Sequence, residues 1–567
     1  MFDVAKDRLS YGELLRPDVG YRLDFAVGMT YSLDLEALLG VPISLGLLEV
    51  EDEEQMRSPL YVLEAIRESA GKIALFCNAG SIQLPQRIQS VYSLLEGSVF
   101  QVKRPDKSSF HPKLWVLKYS SPEGDTYLKL LVLSRNLTFD TSLDLCVAMR
   151  GKPGRAKRKK NKPLADLLTY AAQFASVAKR KAVLDLAEAV IRVPAFEVEH
   201  PFEDYTFFHM GIPDHPGMDT GLLERKRDLF VVSPFLSDDV ATRLTDFRGR
   251  KTLITRKASV TPEVFGAFDH VYITKDVLSD NEFGAKQDIH AKLYFAAMEG
   301  GNYLYIGSAN ASHNGFYRNG ECLLRLKYKP YQIGFQLFCE EFLPKDGCPF
   351  QELTRIPEQP EQDLAREQAV QVLREAVYAL KGATVRPSGD SFDLQVESAP
   401  LELEEAVHIA PLQRRDLMTP IKPRVIFSGL QLRELSAFYV LCVGEQSLVV
   451  KLETKGILKE RDQAIYRGVI DTREKFLTYV SMVLSGGEDP EGIGLEQESA
   501  QQKEESAEAM SAPGPAIYEN MLRIFHQNPE RLKGIADMMR RLEPEVVGEE
   551  FTQLYAQFEQ AARRRRR

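Results

Sequence analysis

The sequence predicts an α/β protein with two similar lobes around one core, then a small β-rich domain and C-terminal helices. Three observations predict it. Short apolar, strand-like runs alternate with helical patterns from residue 22 to 345. One order of features (H-x-K, strand, S-x-N, acid, strand) occurs twice in that stretch. From Leu353 the pattern turns to β-type alternation, then to polar and helical segments. A chain of 567 residues has room for about three or four domains.

Composition narrows the classes. Apolar residues make up 44% and charged residues 27%, the balance of an ordinary globular protein. A net charge of −9 excludes a uniformly basic nucleic-acid coat and argues against tight unaided binding to DNA, so a partner is expected to deliver such a substrate. The cysteines are Cys77, Cys146, Cys322, Cys339, Cys348 and Cys442; none forms a C-x-x-C pair or a zinc spacing. They read as reduced thiols of a cytoplasmic protein. The opening MFDVAKDRLSYGELL has no signal-peptide core. The longest apolar stretch, 37–48, is too short to span a bilayer and contains Pro42. No membrane association is expected.

Taken in order, 22–29 reads as a strand and 33–39 as helix. Residues 73–77 form a buried strand ending in the turn Asn78-Ala79-Gly80, 85–95 a helix and 99–102 a strand. In SFHPKLWVLKY, His111 and Lys113 stand two apart on a strand-like run, where i and i+2 share a face. The next strand, 127–133, ends in Ser134-Arg135-Asn136-Leu137-Thr138, and Asp144 precedes a run ending near Met149. Residues 150–162 hold eight basic residues and read as an exposed loop; two helices over 164–193 separate the halves. The second half repeats the first. Strand 228–232 leads to Ser233-Pro234-Phe235, a helix over 238–246, and strands 251–255 and 270–274. His290 and Lys292 follow, then a run over 303–306 that delivers Gly307, Ser308 and Asn310, and a closing strand that starts at Glu321. The expected units are 1–150, 151–200 (basic loop and helical connection), 201–350, 351–484 (helix plus β-rich domain), a flexible linker at 485–515, and C-terminal helices over 516–567 that end in five arginines.

Each copy supplies an imidazole, an ammonium, a hydroxyl and a carboxamide, a set suited to gripping and attacking a phosphate. A single H-x-K is common, so the doubling carries the inference. Over residues 20–345 the paired segments resemble the two HKD-type motifs of the phospholipase D superfamily. The phospholipases carry Asp seven residues after the His, where this chain has Lys118 and Ala297. The pattern is closer to the HKN form of tyrosyl-DNA phosphodiesterases and to nucleases with an Asn and a late acid.

The resemblance implies two pseudo-symmetric phospholipase D-like lobes of mixed sheets flanked by helices. It also implies a phosphodiesterase acting on nucleic acid, DNA first, without metal or other cofactor. One His attacks phosphorus to give a phosphohistidine; the other protonates the leaving oxygen and then activates water. His111 is assigned as nucleophile and His290 as acid, and pseudo-symmetry leaves the reverse open. Lys113, Lys292, Asn136 and Asn310 would hold the phosphate oxygens. Ser134 and Ser308 would donate further hydrogen bonds, with Arg135 as an additional phosphate contact. Asp144 and Glu321 would orient the histidines. With both motifs in one chain, the site needs no dimer. The C-terminal third resembles accessory regions of bacterial proteins that accompany helicases in phage defence, which implies a helicase or another defence-system subunit as partner. The rival readings are a phospholipase or phosphatidyltransferase, and a non-catalytic nucleic-acid-binding subunit.

Other features have plainer readings. Trp115, the only tryptophan, is expected in the core rather than stacked on a base. His209, His215 and His313 read as surface or turn residues. The basic run and the terminal arginines are solvated segments unless they track a nucleic-acid backbone.

Overall fold

Alternation along the first strand already requires two cores. In Arg22–Thr30 (β1), Phe25, Val27 and Met29 enter one apolar cluster, while Leu23 and Ala26 enter another. A bulge between Leu23 and Phe25 breaks the two-residue period and sends Leu23 to the other face. The computed structural model describes residues 11–45, 59–138, 144–213, 220–275, 289–344, 348–358, 364–401, 405–485, 517, 520–524 and 530–565. Apart from Ser485, the expected linker lies outside these residues, as does His215.

The first lobe is a six-stranded mixed sheet. With Ile73–Asn78 (β2), Val99–Val102 (β3), Leu114–Ser120 (β4), Thr126–Leu133 (β5) and Cys146–Gly151 (β6), its order is β3-β2-β1-β4-β5-β6. The second lobe contains Asp204–Met210 (β7), Lys226–Val232 (β8), Arg250–Thr255 (β9), His270–Thr274 (β10), Leu293–Met298 (β11), Gly301–Gly307 (β12), Glu321–Tyr328 (β13) and Phe350–Glu352 (β14). Its order is β14-β10-β9-β8-β11-β12-β13-β7. Without its edge strands, the second sheet repeats the first strand for strand. The two central parallel pairs correspond, and so do the three antiparallel pairs after them. The bulge recurs between Lys226 and Asp228 of β8.

One apolar cluster runs from Phe25 to Phe350 and joins the lobes. It takes in Lys162–Ala172 and Val177–Arg192, the two helices expected between them. The fold class is therefore as expected: mixed sheets flanked by helices, with C-terminal helices at Glu530–Met539, Pro544–Val547 and Glu549–Arg565. The last helix takes in Arg563–Arg565, three of the five terminal arginines.

Two local expectations change. Residues 85–95 are not an α-helix; a three-residue-per-turn helix occupies Ser90–Ser98. That pitch aligns Ser93 with Glu96, and both meet Arg461: Nη2 donates to the Ser93 carbonyl at 3.3 Å and Nη1 to Glu96 Oε2 at 2.6 Å. His209 lies on β7, a strand with no sequence-level forecast, and is 3% exposed opposite Cys322. The basic run is largely exposed, as expected, and several of its cations are paired. Arg150 bonds Asp18 and stacks on Tyr127, and Lys152, Lys157, Lys160 and Lys162 each meet a carboxylate.

The C-terminal part is built onto the first lobe. Leu364–Ala379 (α1) packs on two sheets. The four-stranded one is local, but the six-stranded one begins with Leu33–Asp34 and Ile82–Gln83 and continues through Gln446–Lys451 and Phe438–Val443. A single apolar cluster reaches from Leu15 to Phe558.

Candidate active site

Both H-x-K segments lie just ahead of β4 and β11, not within the strands. In the first copy Pro112 follows His111 and has no N–H for a ladder, which delays the strand. Register fixes the equivalences. Leu133 pairs with Cys146 as Gly307 pairs with Leu323. Counting from these pairs, Ser134 matches Ser308, Asn136 matches Asn310, and Asp144 matches Glu321.

The second lobe lends its acid to the histidine of the first. His111 N donates to the Gly320 carbonyl at 2.7 Å, and Gly320 N donates to Ser109 at 2.8 Å. This backbone bridge sets Glu321 of the second lobe against His111 of the first, with Nδ1 2.9 Å from Oε2. Glu321 is 0% exposed. A carboxylate accepts, so Nδ1 carries the proton and the Nε2 lone pair is presented elsewhere. The His111 side chain keeps 14% of its surface exposed. Burial, opposed by Glu321 and assisted by Lys113 and Lys292, lowers its pKa to about 4. His111 is therefore neutral at pH 7.

The lysines are buried as well. Lys113 Nζ bonds Asn136 Oδ1, which also accepts from Ser32 N at 3.3 Å. Lys292 Nζ donates to the His290 carbonyl. Burial, then the charge of Lys113, lowers Lys292 to about 7 against the opposing pull of Asp144 and Glu321. His111, Lys113, Asn136, Asp144, Lys292 and Glu321 thus form one electrostatic unit. His290 is tied to it through Lys292. Asn310 occupies the second-lobe position of Asn136, its backbone packed against Gly315, where a Cβ would come 2.5 Å from the Asn310 carbonyl.

Two expected phosphate contacts turn inward. Ser134 Oγ donates to Asp144 Oδ1 at 3.0 Å and accepts from Leu145 N at 2.8 Å. Ser308 Oγ donates to Glu321 Oε2 and accepts from Cys322 N at 3.0 Å. Both serines are buried. They hold the acids rather than a substrate, because an acid at the head of β6 or β13 faces the serine that leaves the neighbouring strand. Arg135 Nη2 donates to the Thr138 carbonyl at 2.9 Å, which ties its guanidinium to its own loop.

Tyr31 was missed by sequence reasoning. Its ring centroid is 4.9 Å from that of His111, Lys113 Nζ is 5.8 Å from it, and Arg374 Nη2 of α1 donates to its hydroxyl at 3.2 Å. Its place just after β1, at the C-terminal edge of the sheet, was the available signal. Trp115 is 1% exposed and packs over Gly28, in the core as expected. Among the described residues no cluster of three His, Cys, Asp or Glu side chains could hold a metal ion, and no helix is long and apolar enough to cross a membrane.

Two lobes of matching strand order, joined at His111 and Glu321, are the arrangement that the resemblance in the sequence implied. No family model matches the chain, and no curated protein matches it. Among solved structures it is similar to yeast tyrosyl-DNA phosphodiesterase, at 12% identity and TM-score 0.34 over 56% of this chain and 84% of that one. It is also similar to a phosphatidylserine synthase of Haemophilus influenzae, at 10% identity and TM-score 0.33 over 65% and 89%. Polyphosphate kinase of Porphyromonas gingivalis matches at 12% identity and TM-score 0.29 over 63% and 43%. Overlaps this low carry no weight for function; the chain's own site geometry does.

Proposed function

We propose that the chain is a metal-independent phosphodiesterase that cleaves nucleic acid, DNA first, through a phosphohistidine. The single observation that carries this is His111: a neutral imidazole, locked by Glu321 of the other lobe, near two buried lysines. In the first step Nε2 of His111 attacks phosphorus, the bond to the leaving oxygen breaks, and protonated His290 gives that oxygen its proton. In the second, neutral His290 takes a proton from water, the water oxygen attacks phosphorus, and the P–N bond breaks to restore His111. Lys113 and Lys292 offset charge on the non-bridging oxygens. A helicase-type partner that brings the strand to this acidic protein, and a role in phage defence, belong to the same proposal.

The test is incubation with labelled single- and double-stranded DNA, RNA and phospholipid vesicles in EDTA, using wild type, His111→Ala and His290→Ala. Nucleic-acid cleavage in EDTA that either substitution abolishes is expected. Cleavage that persists in the double variant or requires added metal overturns the mechanism, and cleavage of lipid alone overturns the substrate. Phosphohistidine trapped in the His290 variant but not in the His111 variant assigns the nucleophile.

A further inference from the structure

The duplication is close enough that its departures are informative. At the end of β1, Thr30 Oγ1 donates to the Ser32 carbonyl at 2.7 Å and accepts from Leu137 N at 3.0 Å. After β8, Ser233 Oγ donates to the Phe235 carbonyl at 2.8 Å and accepts from Ala311 N at 2.9 Å. The backbone is the same, but Phe235 stands where the first lobe has Ser32. A second pair behaves likewise. Asn78 and Arg256 each lie two residues beyond matched positions on β2 and β9. Each holds the residue that precedes its lobe's histidine: Asn78 Oδ1 accepts from Phe110 N at 2.9 Å, and Arg256 Nη2 donates to the Ile289 carbonyl at 3.1 Å. The first lobe thus has a serine and a neutral carboxamide where the second has a phenylalanine and a guanidinium.

These two second-lobe side chains act together. Arg256 Cζ lies 4.6 Å from the Phe235 centroid, and the arginine's charge reaches Lys292. Ser259 Oγ donates to the Pro234 carbonyl at 2.8 Å, which steadies the loop. Phe235 remains 50% exposed. Packing therefore does not explain its size, and nothing in the backbone requires an aromatic residue there.

We propose that Phe235, backed by Arg256, is a nucleobase-stacking subsite beside His290 that holds the nucleotide on the second-lobe side of the scissile phosphate. This rests on the nucleic-acid reading above. Every base has a π-face, so the subsite takes single-stranded nucleic acid with little sequence preference. Arg256 lends the platform a cation that suits both base and phosphate.

The test separates binding from turnover. In EDTA, fluorescence anisotropy compares a short labelled single-stranded DNA with a fully abasic strand of equal length, both on a His111→Ala background. Adding Phe235→Ala should weaken the base-bearing strand about tenfold and leave the abasic strand unchanged; Phe235→Trp should restore the difference. Phe235 is exposed, so neither substitution threatens the fold. Equal effects on both strands, no effect on either, or no measurable DNA binding overturns the subsite. A selective Phe235 effect in a protein whose wild type cleaves no nucleic acid leaves the subsite standing and removes the phosphodiesterase reading. Cleavage indifferent to Phe235 does the opposite.

Discussion

His111 shows how burial can suit a nucleophile. An imidazole out of water resists protonation, and the cations Lys113 and Lys292 add to that resistance. Glu321 opposes both and fixes which nitrogen carries the proton. With His111 near 4 and Lys292 near 7, kcat/KM should rise as pH passes about 4, where the nucleophile loses its proton, and fall as it passes about 7, where the buried ammonium loses its charge. A profile without an alkaline limb near 7 contradicts the role given to Lys292. Glu321→Gln removes the charge that raises His111, so the acid limb should move below about 4. The same change loosens the ring's orientation, and kcat should drop by about 10²-fold or more. Intact folding with an unmoved acid limb would count against the Glu321–His111 pair. The sequence presents every one of these side chains, because H-x-K, S-x-N and a late acid recur. It does not reveal that His111 takes the other lobe's acid 210 residues away, nor that the serines serve those acids.

At the scale of elements, strands were more legible than their joints. Apolar, strand-like runs mark β1 and β4, but only the register puts Trp115 against Gly28. A Cβ at residue 28 would come 2.7 Å from both the Trp115 ring and Leu75, so Gly28→Ala should destabilise by about 1–3 kcal/mol through overpacking, read from urea midpoints at constant slope. The helix expected over 85–95 failed because its geometry answers to Arg461, 365 residues on from Glu96. Helix α1 is legible as a helix, and its position is not. Lys103 Nζ reaches the carbonyls of Val377, Tyr378 and Leu380 at its C-terminal end, at 3.3, 2.7 and 3.3 Å. A cation there satisfies open carbonyls and the helix dipole together. Lys103→Met should cost about 1–2 kcal/mol and loosen the hold of Arg374 on Tyr31, lowering turnover while the fold persists. Unchanged kinetics in a measurably less stable variant would separate α1 from the site.

At the scale of the whole molecule, the two lobes were legible because duplication writes the same pattern twice. The union of the first lobe with the C-terminal third was not, because its strands in that lobe, Leu33–Asp34 and Ile82–Gln83, are two residues long and give no periodic signal. Side chains reinforce those strands. Glu96 takes Arg461, the Ser436 hydroxyl and Ala437 N in a buried cluster, and Lys451 Nζ bonds the carbonyls of Glu96 and Val99. Glu64 accepts from the Tyr479 hydroxyl at 2.6 Å and from Arg67, which also approaches Asp537 at 3.7 Å. Removing one partner of a buried pair strands the other charge, so Arg461→Ala should destabilise the chain by about 3–5 kcal/mol. A larger deletion carries the same logic further. A chain ending at residue 358 would keep both H-x-K segments, yet would uncover Leu63, Ile66 and Val91, which pack in one cluster with Phe476, Tyr479 and Ile535. It should be recovered aggregated or protease-sensitive in its first lobe and inactive for lack of a fold. Recovery of a soluble, cleaving 1–358 fragment with wild-type unfolding would show that the C-terminal third is a separable module.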